Sequence, residues 1–276
     1  MSIKYAYLGP AGTFTEAALQ KIATQSDQLI AYANVTAALD AVRNGECQKA
    51  LVPIENSVEG VVARTLDELA IGQPLVITAE TTLPVSFSLM TLSNTNAAEI
   101  KSIATHPHAE SQCRSFIAKN YPNAQVIESS STAAAAKGLS KGDYDAAIAG
   151  SNAAKNYDLK VIAENIGDNS GAVTRFVLVE KPGNQPKATG KDRTSLAVFI
   201  ALDHAGALLE ILNEFAKHQV NLTFIQSRPT GSQLGHYHFI IDAEGHIEDK
   251  PISAALAGLK EICEDIRFLG SYPQAK

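Results

Sequence analysis

The chain has 276 residues, 45% of them hydrophobic and 19% charged, which fits about two globular domains with cores of their own. Its net charge of −6 is shared evenly: residues 1–190 hold 15 Lys and Arg against 18 Asp and Glu, and 191–276 hold 8 against 11. No basic arm or stripe suits nucleic acid, so an anionic ligand needs a local cationic pocket.

Residues 3–8 enter directly as a strand with no secretory leader, and no apolar run approaches the ~20 residues of a membrane span. A cytoplasmic protein without a membrane partner is expected. Cys47, Cys113 and Cys263 are odd in number and widely spaced, which gives neither a disulfide framework nor a metal-ligand set. The first strand runs into Gly9-Pro10-Ala11-Gly12-Thr13-Phe14-Thr15-Glu16. Gly9 and Gly12 permit close backbone approach, Thr13 or Thr15 can cap a helix, and free N–H groups at such a start favour an anion. The loop lacks the lysine of a P-loop and the three-glycine dinucleotide spacing, which excludes a nucleotide.

The strand–helix unit then repeats. Residues 29–33 read as a strand and 35–43 as a helix. Residues 50–54 read as a buried strand, broken by Glu55-Asn56-Ser57-Val58-Glu59-Gly60. A polar cluster at a strand's carboxyl end is where open α/β sheets bind ligands; the plainer alternative is that Asn56 or Ser57 caps a helix through Leu69. Further strands are read at 75–80, 85–92, 100–105, 126–128, 145–149 and 159–163. His106-Pro107-His108 starts a helix in which Cys113 is a core residue rather than a nucleophile. Ser129-Ser130-Ser131-Thr132 caps an alanine-rich helix, another anion seat. Alternation of this kind predicts mostly parallel sheets, in two lobes around 3–80 and 85–165.

Asp168-Asn169-Ser170-Gly171-Ala172-Val173-Thr174-Arg175-Phe176 joins a polar loop to a β-branched and aromatic strand that returns to the first lobe. It sets a hydroxyl beside a planar guanidinium suited to carboxylates. Residues 181–193 form a polar linker with two Pro and two Gly. Beyond it the order is strand 194–202, helix 206–218, strands 221–228 and 235–241, helix 252–263 and strand 266–269: βαββαβ, a ferredoxin-like small domain.

Taken together, Gly9–Ala17, Pro53–Gly60, His106–Cys113, Ser131–Ala136, Ala146–Ala149 and Thr174–Phe176 resemble bacterial prephenate dehydratase. Gly206-Ala207-Leu208 and Gln226-Ser227-Arg228-Pro229 resemble the ACT regulatory domain that accompanies it. The resemblance implies an α/β fold: a two-lobed, periplasmic-binding-protein-like catalytic region over 3–181 (lobes about 3–80 plus 173–181, and 81–172), then an ACT domain over 194–272. It implies decarboxylating dehydration of prephenate to phenylpyruvate in phenylalanine biosynthesis. Thr174 is the implied catalytic residue; Asn56, Ser57, Gln112, Ser131, Thr132 and Arg175 are the implied substrate-binding residues. L-Phenylalanine is the implied effector, at Ala205, Gly206, Ala207 and Leu208 with Asn221, Leu222, Gln226, Ser227 and Arg228, in a homodimer or homotetramer. Aromatisation drives the reaction, so no metal or organic cofactor is expected. The chain departs from the family pattern at Ala172, Ala205 and Gln226, the last offering an amide where a carboxylate is usual. The competing functions are a non-aromatising prephenate decarboxylase and a non-catalytic solute-binding sensor.

Overall fold

The computed structural model describes residues 2–183, 185–200, 204–230 and 237–275. The strand residues expected at 201–202 and 235–236 lie outside them. Three sheets organise the chain. The first contains β1 (Lys4–Leu8), β2 (Gln28–Tyr32), β3 (Lys49–Asn56), β4 (Gly60–Val61), β5 (Val76–Pro84) and β11 (Val173–Glu180) in the order β2-β1-β3-β11-β5, with β4 on β3. The second contains β6 (Ser88–Thr91), β7 (Ser102–Thr105), β8 (Gln125–Glu128), β9 (Ala146–Ala149) and β10 (Lys160–Ala163) in the order β10-β6-β9-β7-β8.

One expectation needs correcting, and one alternative falls away. β7 is parallel to β8 and β9, but β6 runs antiparallel to β9 and β10. It enters three residues after β5 of the other sheet, so the chain reaches it directly and not through a helical crossover from a parallel neighbour in its own sheet. Asn56 and Ser57 also do not cap a helix. β3 continues through Glu55 and Asn56 and turns back as β4, with Glu55 opposite Val61. The helix α3 (Ala63–Ile71) starts later, without a side-chain cap.

The second sheet is filled on both faces, as alternating βα units require. Phe87, Leu89, Ile103, Ile117 and Ile148 pack on one side, and Met90, Ala104, Ala136, Leu139 and Ala147 on the other. Because β7, β8 and β9 are parallel neighbours, their following helices start along one edge. These are α4 (Pro107–Gln112), α6 (Thr132–Leu139) and α7 (Ser151–Asn156).

The third sheet is antiparallel: β12 (Asp192–Ile200), β13 (Leu222–Pro229), β14 (Tyr237–Glu244) and β15 (Cys263–Pro273) in the order β13-β14-β12-β15. Helices α8 (Ala207–Lys217) and α9 (Lys250–Ile262) supply Ile211, Phe215, Ile252 and Leu259 to a core with Leu196, Val198, Phe239 and Ile241. By internal packing the chain forms two compact units: 1–38, 51–61 and 82–176; and 39–50, 62–81 and 177–276. In the second, Arg228 donates twice to Asp67 of α3 at 2.8 Å, Arg267 donates to the Gly72 carbonyl at 2.6 Å, and Arg193 lies 3.4 Å from Glu80. Among the described residues no helix is long and apolar enough to cross a membrane.

His238 of β14 is fully buried in this unit, stacked on Phe199 with ring centroids 5.0 Å apart, and among the described residues neither ring nitrogen has a hydrogen-bond partner. Burial pulls its pKa below the ordinary histidine value, with Asp67 opposing and Arg228 and Arg267 reinforcing the shift. A histidine held neutral in the fold binds fewer protons than in the unfolded chain. Its contribution is therefore present above an unfolded pKa of about 6.5 and is lost as pH falls toward the folded value. His238→Leu is expected to flatten the loss of stability below about pH 6.5, read from urea midpoints at several pH values. An unchanged slope would mean that other groups set it.

Candidate active site

The site is built where the β3–β4 hairpin meets β11 and the end of α4. At the turn, Asn56 Oδ1 accepts from the backbone N–H groups of Val58 (2.8 Å) and Glu59 (3.0 Å). The oxygen end of the amide is thus committed, and Nδ2 faces Thr174, donating to Oγ1 at 2.8 Å. Thr174 is buried. Its oxygen is an acceptor in that bond, so its own O–H points elsewhere as a donor. Ser57 pins the same junction: its Oγ accepts from Val173 N and its N–H donates to the Val173 carbonyl, both at 2.9 Å.

Successive strand residues face opposite sides, and the partners obey this. Asn56 pairs with Thr174, while Glu55 accepts from Arg175 Nε at 2.6 Å. The hydroxyl and guanidinium that stand side by side in sequence therefore occupy different faces of β11. Arg175 is 5% exposed, and its charge is offset by Glu55. Any clamp it makes on a substrate carboxylate shares the guanidinium with that partner.

Gln112, the last residue of α4, donates from Nε2 to Glu59 Oε1 at 2.8 Å. Glu59 Oε2 lies 3.5 Å from Nδ1 of the largely exposed His108. His106 caps α4, its Nδ1 accepting from His108 N. Burial, then neighbouring His108, lowers its pKa. Cys113 is completely buried, and burial aided by Asp168 pushes its thiol up to about 12, far from a nucleophile's range. Ser131 Oγ caps α6 through Ala134 N at 3.0 Å, and Thr132 is the first residue of that helix. Among the described residues, no hydrogen bond joins Ser131 or Thr132 to the Thr174 network.

The glycine loop does not present an open anion seat. Gly12 N donates to Glu16 Oε2 at 2.6 Å, and Thr13 Oγ1 caps Glu16 N. The buried Glu16 also receives Tyr7 OH at 3.0 Å and Asn156 Nδ2 at 2.8 Å. The chain's own carboxylate satisfies the donor that a ligand would need. Tyr157 OH and Asn152 Nδ2 bind the Ala11 and Thr13 carbonyls, so α7 holds the loop in place. No group of three or more potential metal ligands occurs among the described residues.

In the antiparallel domain, Gly206 caps α8 at φ 102 and Ala207 is its first helical residue. Ala205 and Leu208 flank them as exposed residues. Ala207 also lines a cavity of about 140 Å³, with Ile200, His204, Glu210, Ile211, Ile262 and Cys263. Leu222, Gln226, Ser227 and Arg228 lie on β13 at the sheet edge, just after Asn221. Gln226 Nε2 is bound to the neighbouring Ser227 carbonyl at 2.9 Å, and Arg228 is taken by Asp67. Through β14, Arg228 is level with Phe199, whereas Leu222 is level with Thr194. Asn221 and Leu222 are therefore about 20 Å along the sheet from the α8 start.

A prephenate dehydratase family model matches residues 5–184, and an ACT domain model matches 194–261. The chain belongs to the prephenate dehydratase family. A prephenate dehydratase of Amycolatopsis methanolica is 45% identical over 273 residues, 99% of this chain and 89% of that one. The crystal structure of the Arthrobacter aurescens prephenate dehydratase in complex with L-Phe superposes with a TM-score of 0.92 at 49% identity, covering 98% of this chain and 90% of that one. GqqA, described as a novel type of quorum-quenching acylase, superposes with a TM-score of 0.87 at 27% identity, covering 98% of both chains. An α/β region built on two sheets, followed by a ferredoxin-like ACT domain, is thus the fold of this family member.

For a prephenate dehydratase family member, sequence reasoning passed over three carboxylates. Glu55 was legible only as one of a polar cluster. Glu59 sits in the same cluster, but its partner Gln112 is 53 residues away. Glu16 reads in sequence as an ordinary acidic residue in a helix's first turn. Its burial depends on Tyr7, Gly12 and Asn156 converging in space.

Proposed function

We propose that this protein converts prephenate to phenylpyruvate and that phenylalanine regulates it through the small domain. The observation that carries the first part is the direction of the Asn56–Thr174 hydrogen bond. Prephenate loses its ring carboxylate as carbon dioxide. The electron pair of the breaking carbon–carbon bond enters the ring as the 4-hydroxyl departs. Hydroxide leaves only with a donor to receive it, and Thr174 O–H is aimed away from Asn56 for that use. A threonine hydroxyl is a weak acid, so its effect depends on a positioned hydrogen bond to developing charge.

Gln112 and the start of α6 at Ser131 and Thr132 offer further polar groups for the substrate. Arg175, shared with Glu55, supplies positive charge behind the strand. Ser57 acts by holding Val173, and so Thr174, in register. The departing carboxylate is best left weakly held, since tight ground-state pairing opposes its loss. On this reading the catalytic region spans 3–181, with lobes about 3–80 plus 173–181 and 81–172, and the regulatory domain spans 194–272.

The likeness to GqqA motivates a second assay. Amide hydrolysis by Thr174 requires a base to take its proton. Among the described residues Thr174 Oγ1 instead receives a proton donor, which favours dehydration.

Asn221 and Leu222 cannot reach the α8 start of their own chain across about 20 Å of sheet. A phenylalanine site using both sets therefore takes two copies, which supports a dimer or tetramer. Gln226 offers an amide rather than a carboxylate to the ligand's ammonium.

The test is incubation with prephenate at neutral pH. Phenylpyruvate, detected by ultraviolet absorbance above the spontaneous background, is the expected product. Carbon dioxide without the aromatic product would indicate the decarboxylase, binding without turnover a sensor, and hydrolysis of an N-acyl amide an acylase. Phenylalanine should inhibit, and Gln226→Glu should strengthen both its binding by calorimetry and the inhibition. Equal inhibition of both proteins would remove Gln226 from the site.

A further inference from the structure

Two amides belong to the hydrogen-bond network that reaches Thr174, and each has a donor end and an acceptor end. Asn56 is fixed by two backbone N–H groups on its oxygen. Gln112 is fixed differently, by the Glu59 carboxylate at 2.8 Å from Nε2. An ionised carboxylate only accepts, so it admits the NH₂ end of Gln112 and rejects the oxygen end. Gln112 is 9% exposed, and its Oε1 has no hydrogen-bond partner among the described residues. The acceptor left over is thus an oriented carbonyl with no protein group to satisfy it. Glu59 connects the two amides: its N–H is one of the donors that orient Asn56, and its side chain orients Gln112 from the other sheet's α4.

We propose that Glu59 is a positioning residue that holds the Gln112 amide with its oxygen toward the substrate, where it reads a hydroxyl donor. The inference rests on the prephenate reading for the identity of that hydroxyl, but the orientation of Gln112 does not depend on it. Unlike Asn56 and Gln112, Glu59 is placed to act without touching substrate. Glu59→Gln is close to isosteric and keeps a hydrogen-bonding group, but it tolerates either end of Gln112. Some molecules would then present NH₂ where the substrate also presents a donor.

Two measurements test this. In the first, the side-chain NH₂ resonances of Gln112 are assigned by NMR in wild type and Glu59→Gln. One proton held by a carboxylate is expected downfield in wild type and shifted upfield in the variant. Identical spectra overturn the proposal whatever the enzyme's substrate. In the second, kcat/KM is compared for Glu59→Gln, Gln112→Ala and the double variant. Glu59→Gln is expected to lower kcat/KM about 10-fold, the loss of one well-placed hydrogen bond, with an unchanged thermal midpoint. If Glu59 acts through Gln112, the double variant is no slower than Gln112→Ala alone. Losses that multiply would show a separate structural role and overturn the proposal. Absence of prephenate turnover by the wild type would sink the functional reading and leave the spectroscopic result to decide the orientation.

Discussion

Thr174→Ala is expected to leave a folded protein whose prephenate turnover has fallen about 10²–10³-fold, the usual consequence of deleting one donor aimed at developing charge. The substitution removes a buried hydroxyl whose side-chain partner is Asn56, so the thermal midpoint should move little. Asn56→Asp sharpens the expectation. A carboxylate there cannot donate to Thr174 and would draw the threonine proton toward itself, away from the leaving hydroxyl. It would also keep an acceptor for the Val58 and Glu59 N–H groups, so the turn survives. A loss in this variant comparable to that of Thr174→Ala would show that the direction of the hydrogen bond matters. Near-normal turnover by folded Thr174→Ala, measured in steady state, would remove Thr174 from the chemistry.

The largest effect on stability is expected at Gly270. It lies in β15 at φ +146, and an added Cβ would run into the Ile77 carbonyl oxygen while standing 3.0 Å from that residue's N and C. Backbone atoms cannot swing aside as a side-chain tip can. Gly270→Ala should therefore cost about 2–5 kcal/mol, combining backbone strain with overpacking. Gly142 is the control: its φ is +81, but nothing lies within 4 Å of a Cβ placed there. Gly142→Ala should show only the conformational cost, about 1–2 kcal/mol. Urea midpoints for the two proteins separate the terms, and equal losses would mean that the close approach to Ile77 relaxes.

Much of this architecture could be read from residue pattern. Helix α2 spans Val35–Arg43 as its apolar spacing predicts, and Thr13, His106 and Ser131 cap the helices that follow them. Local rules suffice there, because a cap and its donor are two or three residues apart. β3 was harder. Glu55 and Asn56 look like a turn in isolation, and they are strand because β4 and β11 supply partners that no local window contains. The opposed faces of Thr174 and Arg175 were implicit in strand alternation, although their adjacency suggested a shared pocket. Glu16 and Glu59 were not legible as organisers. Each draws its partners from remote segments, and an isolated glutamate carries no mark of where its carboxylate will be buried.

The polar linker at 181–193 looks like the place to cut the small domain away. The packing of α3 and β5 argues otherwise. A chain ending near residue 187 would strip Arg228 from Asp67, Arg193 from Glu80 and Arg267 from the Gly72 carbonyl. It would also uncover Ile77 where Gly270 now covers it. The small domain is a wall for α3 and β5. On the proposed regulation, substitutions around Gly206 and Gln226 are expected to relieve inhibition with less loss of stability than amputation, as thermal midpoints of the two kinds of variant would show.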